Sequence, residues 1–160
     1  MPVEQSVPNH REIMGGLIND SLFVKQHWEG RSLDQLLQVI VEHTNANIGN
    51  QHPITLTVGG NLVSGLLIAA DAYIDAVADE FASDFKKEDG TADRIRDMIL
   101  GMKYIPNEDA EKNVPPQFIH LMDAEVYTSS GRPIVSGGSL WRGKLSSVDG
   151  FSLGRLEVKN

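Results

Sequence analysis

The sequence predicts an α+β fold: a small antiparallel five-stranded sheet, curled and either open or closed into a barrel, with an N-terminal helix and a helical insertion. Three observations carry this. From Ile54 to Val58 apolar and polar residues alternate, and beyond Gly59-Gly60 the segment Leu62 to Ala70 is largely apolar, as in a half-buried strand joined by a tight turn to one buried on both faces near its end. After Asp71 the period changes, and Tyr73, Val77, Phe81 and Phe85 recur every four residues, the spacing of one helix face. Beyond Pro115-Pro116 β-type patterning returns through Phe118 to Tyr127 and continues to a last segment carrying Val148, Phe151, Leu153 and Leu156.

Residues 1–31 read as an N-terminal arm, since Gly15-Gly16 interrupts the helical spacing of Ile13, Met14, Leu17 and Ile18 and each glycine costs a helix about 1 kcal/mol against alanine. Phe23, Val24 and Trp28 form an apolar patch within it. Residues 32–160 read as a single domain. Ser32 and Gln35 make a capping box ahead of Leu33, Leu36, Leu37, Ile40 and Val41, predicting a helix over 33–47 that ends on a left-handed Gly49. Strands follow over 54–59 and 62–70, then a helix capped by Asp71. A second helix is expected over about 93–102, where Ile95, Met98, Ile99 and Met102 share a face. The stretch from Pro106 to Pro116 is loop by its proline and charge content. Strands at 118–127, 134–145 and 148–157 complete the sheet. The last two are expected to form a hairpin turning on Asp149-Gly150, with Trp141 and Phe151 pointing inward and the 33–47 helix across one open end.

Composition narrows the function. The chain has 160 residues and no cysteine, which excludes disulfides, thiolate metal sites and thiol nucleophiles. Met1 to Ser6 has no basic run leading into an apolar one, so no secretory signal is expected. The longest purely apolar run, Leu66 to Ala70, is far short of the ~20 residues of a spanning helix. A soluble, cytoplasmic protein is the expectation, without a membrane partner. Net charge is −8, and it is unevenly placed: residues 72–113 hold eleven acidic side chains against six basic ones, whereas 51–70 and 114–160 together hold four against five. With no basic stripe, nucleic acid is disfavoured as a partner.

No catalytic motif is present. There is no Gly-x-Ser-x-Gly elbow, no phosphate-binding Gly-x4-Gly-Lys loop and no His-Glu-x-x-His run. The five histidines are scattered, so neither a metal site nor a cofactor site is expected. Partner contacts are the remaining chemistry. Asp75 with Asp79, and Asp93 with Asp97, are i, i+4 carboxylate pairs on predicted helices, suited to a basic partner, to a cation or simply to a solvated face. Arg142, Lys144 and Arg155 are the basic candidates; Arg142 beside Trp141 suits a cation-π stack or a partner contact, and Trp141 in the core is the plainer alternative.

Two resemblances follow from particular strings. Gly60, then Gly65 after four residues and Asp71 after five more, followed later by Ile119 to Ala124 and by Leu140-Trp141-Arg142-Gly143, resembles the two motifs of Sm-like proteins. That resemblance implies an Sm/SH3-like barrel, a homo-oligomer and RNA binding. The chain departs from it at Asp75, where Sm-like RNA binders usually carry asparagine, and in the acidic helical insertion over 72–117. The strings Ala72-Tyr73-Ile74-Asp75, Phe118-Ile119-His120-Leu121, Trp141-Arg142-Gly143-Lys144, Val148-Asp149-Gly150-Phe151 and Leu153-Gly154 resemble the gas vesicle accessory protein U family over most of residues 33–156. This second resemblance implies a non-enzymatic cytoplasmic protein whose partners are the gas vesicle shell or other accessory proteins, acting to cluster vesicles. It assigns no residue a chemical role.

Overall fold

The computed structural model describes Gly16 and residues 33–106, 108–109, 114–128, 130–134 and 137–156. The chain divides into two units, Met1–Leu33 and Asp34–Asn160, and the account below concerns the second. Apart from Gly16, the expected arm with its Phe23, Val24 and Trp28 patch lies outside the described residues.

Helix α1 spans Gln35–Ala46. Its cap is Asp34, whose carboxylate accepts from the Leu37 N–H at 3.0 Å. An aspartate two residues nearer the helix therefore takes the role expected of Ser32. At the other end Asn47 closes the helix, its N–H bonding the Thr44 carbonyl and its side-chain amide the His43 carbonyl. Gly49 is not left-handed, contrary to expectation.

Strands β1 (His52–Val58) and β2 (Asn61–Leu67) pair from Val58↔Asn61 back to His52↔Leu67. Gly59 and Gly60 turn between them at φ 56° and 81°, values only glycine adopts freely twice in succession. β2 stops three residues before its expected end, because Ala69 already caps the next helix while the Ile68 N–H goes to the His120 carbonyl. That helix, α2, spans Ala70–Ser83. Asp71 sits in its first turn instead of capping it; the acceptor for the Ala70 N–H is Asn45 of α1, at 2.9 Å. Helix α3 covers Thr91–Leu100, followed by β3 (Phe118–Tyr127), β4 (Ser139–Lys144), a 3-10 turn at Leu145–Ser147 and β5 (Gly150–Leu153).

The five strands form one antiparallel sheet in the order β4-β3-β2-β1-β5. The antiparallel α+β expectation holds, but the hairpin on Asp149-Gly150 does not form: β4 and β5 occupy opposite edges. The 3-10 turn redirects the chain after Lys144. The Asp149 N–H then bonds the Thr57 carbonyl, and its carboxylate accepts from the Gly59 N–H at 2.8 Å, so this residue braces the β1–β2 turn. Two edges of a flat five-stranded sheet would lie about 19 Å apart, whereas the link from Lys144 to Gly150, part of it coiled, reaches about 16 Å. The sheet must curl to be so connected. It remains open, with no ladder between β4 and β5, so of the two expected forms the curled sheet is present and the closed Sm/SH3-like barrel is not.

Cross-strand register puts Ile54, Leu56, Leu67, Ile119 and Leu121 on one face, and each is 0% exposed. Burial of such a side chain stabilises the fold by about 1.5–3 kcal/mol. The opposite face carries a polar pair, Thr55 and Ser64, 3.0 Å apart. The last described residues cross that face: Thr55 also donates to the Gly154 carbonyl, and the Leu156 N–H to Ser64 Oγ.

One irregularity interrupts β3. Both of its ladders slip by a residue near Asp123, which has φ 48°, the conformation of a β-bulge. Glycines flank the bulge because side chains do not fit: a Cβ on Gly65 would stand 3.0 Å from Ala124 Cα, and one on Gly138 2.9 Å from Asp123 Cα. Arg155 donates to the Asp123 carbonyl at 2.9 Å.

Candidate functional site

Helices α2 and α3 form a hairpin, and two of the candidate carboxylates form ion pairs across it. Lys103 reaches Asp75 and Arg96 reaches Asp79, each at 2.7 Å. Pairing within the hairpin occupies the charge that sequence spacing offers to a partner. Asp93 and Asp97, on α3, are exposed, and among the described residues neither carboxylate makes an ion pair or a side-chain hydrogen bond. Asp93 also lies in the first turn of α3, where the helix dipole favours a negative charge. Next to Asp97, Met98 is 60% exposed, and Met102, just past the end of α3, is 74% exposed. The outward part of α3 thus combines free negative charge with flexible apolar side chains, which adapt to irregular partner surfaces.

The basic candidates separate likewise. Arg155 is committed to the bulge through the Asp123 carbonyl. Arg142 and Lys144 are exposed on one face of β4, and among the described residues neither is ion-paired. Arg142 does make a cation-π contact, but with Phe118 of the neighbouring strand, 3.8 Å from guanidinium carbon to ring centroid. Trp141 is unavailable for it because consecutive strand residues point to opposite faces.

Beside Arg142, on the same face of the sheet and directly across the β3–β4 ladder, lies His120. Its ring packs against Tyr73 of α2, with centroids 4.8 Å apart. His120 is buried, and among the described residues its Nδ1 has no hydrogen-bond partner. Burial, assisted by the Arg142 charge, brings its pKa down to about 4. The same burial pushes the Tyr73 phenol up, against the pull of Arg142. Sequence patterning gave His120 no special place; its position within an otherwise apolar part of β3 was the available signal.

A shallow, mainly apolar depression of about 150 Å³ is lined by Ala124, Val126, Ile134, Gly138 and Ser139. It contains no ionisable side chain. Among the described residues no three His, Cys, Asp or Glu side chains are grouped to hold a metal ion, and no helix is long and apolar enough to cross a membrane. The chemistry on display is that of contact surfaces: a negative, methionine-bearing helix and a positive strand edge.

A family model described as gas vesicle protein GvpU-like matches residues 34–156. No curated protein and no solved structure matches the chain.

Proposed function

The chain belongs to the gas vesicle protein GvpU-like family, and from that membership we propose that it is a non-enzymatic accessory protein that associates with gas vesicles in the cytoplasm and promotes their clustering. The carrying observation is the extent of the match, since residues 34–156 include every described helix and strand from α1 to β5. The partner is the vesicle shell or another accessory protein, and self-association of copies bound to different vesicles would bridge them. The unpaired carboxylates of Asp93 and Asp97 beside exposed Met98 and Met102 support α3 as a contact surface for a basic partner. The Sm-like RNA-binding or scaffold alternative is set back by the net charge of −8 and by Asp75 with the acidic helical insertion.

Co-sedimentation with purified gas vesicles tests this reading. Wild type is expected to pellet with vesicles and to cluster them, less so as salt shortens the screening length from ~10 Å. Asp93→Asn with Asp97→Asn should weaken both effects while leaving the Asp75 and Asp79 ion pairs in place. Failure of wild type to pellet with vesicles at any salt concentration would overturn the proposal.

A further inference from the structure

The β4 edge offers backbone and charge together. Among the described residues β4 pairs only with β3. The Leu145 N–H bonds the Gln117 carbonyl, continuing the ladder in which Lys144 faces Phe118 and Arg142 faces His120. In an antiparallel ladder bonded and non-bonded pairs alternate, so Gly143 and Trp141 direct their backbone groups toward β3. Arg142 and Lys144 direct theirs away from it. The His120 carbonyl agrees with this phase, since it turns to the Ile68 N–H on the other side of β3. The residues with outward backbone groups are therefore the two whose cationic side chains share a face and, among the described residues, lack an ion pair.

We propose that this edge binds an extended segment of a partner protein by strand addition, and that the segment carries acidic residues at alternate positions with an apolar residue between them. An added strand hydrogen-bonds to the outward N–H and C=O groups of Arg142 and Lys144. Side chains directly opposite one another in such a pair lie about 5 Å apart, so two acidic residues spaced i, i+2 meet both cations. The residue between them points to the other face, where the half-buried indole of Trp141 lies over Gly143. Charge complementarity selects this occupant: the two cations are unpaired although the chain carries a net charge of −8. Charged residues also guard sheet edges against pairing, and the two roles make opposite predictions for an acidic strand. Since the inference concerns the edge alone, it stands or falls independently of vesicle binding.

The test is amide-resolved NMR titration of the full chain with a short capped peptide of alternating glutamate and valine. Binding is expected to shift and protect the Arg142 and Lys144 N–H signals, and a lysine-valine peptide should leave them unmoved. Arg142→Gln with Lys144→Gln should weaken binding at least about tenfold, as loss of charge-assisted contacts implies. Lys144→Gln alone, which leaves the Phe118 contact of Arg142 intact, should weaken it in the same direction. Methylating the peptide's backbone nitrogens should abolish binding. The proposal is overturned by absence of binding, by equal binding of the two peptides, by full binding of the methylated one, or by shifts at this edge that follow protein concentration alone, which would assign it to a second copy.

Discussion

The indole of Trp141 lies over Gly143, two residues along the same face of β4, close enough that a methyl group on Gly143 would run into the ring. The aromatic ring covers the backbone a glycine leaves bare on an edge strand, a known device for such positions. Gly143→Ala is therefore expected to displace the indole and to cost about 1–3 kcal/mol, the usual range for forced overpacking. Because Trp28 also emits, the measurement is denaturant unfolding and fluorescence in a Trp28→Phe background. An unchanged midpoint with unchanged emission would show that the ring does not rest on the glycine.

His120 gives the protein a pH dependence of definite sign. Its folded pKa of about 4 lies below the ~6.5 of an unfolded histidine, so the unfolded chain takes up the proton first. Stability contributed by neutral His120 is complete above pH ~6.5 and is lost as pH falls toward 4, by an amount on the order of 3 kcal/mol. His120→Phe keeps a ring against Tyr73 and removes both the titration and the unpartnered Nδ1. Its stability should fall less than that of wild type between those pH values. Parallel curves for the two proteins would locate the acid sensitivity elsewhere.

What could be read in the sequence was local. The alternation from Ile54 to Val58, the Gly59-Gly60 turn and the four-residue spacing after Asp71 each act within a few residues, and they produce β1, the β1–β2 turn and the body of α2 as expected. Structure and local pattern part where a distant partner prevails. Asp149-Gly150 resembles a hairpin turn, yet Asp149 is held by Thr57 and Gly59, far back in the chain. Asp75 and Asp79 resemble a free acidic face until α3 and the turn after it bring Arg96 and Lys103 to them. Caps moved for the same reason: Asn45 of α1 serves the first N–H of α2. The candidate contact residues were visible as charges; which of them remain unpaired was decided by the fold.

The bulge at Asp123 sets a last test, one that separates backbone strain from side-chain chemistry. At φ 48° an L-residue other than glycine is strained by roughly 1–2 kcal/mol, and a β-branched one by more. The carboxylate of Asp123 makes no hydrogen bond or ion pair among the described residues; the Arg155 contact is to its carbonyl, which any residue supplies. Asp123→Gly should therefore leave thermal stability unchanged or raise it, whereas Asp123→Val should lower it by about 1 kcal/mol or more. If glycine and valine destabilise equally, the aspartate side chain matters for a reason other than the backbone, and the bulge is not where the strain resides.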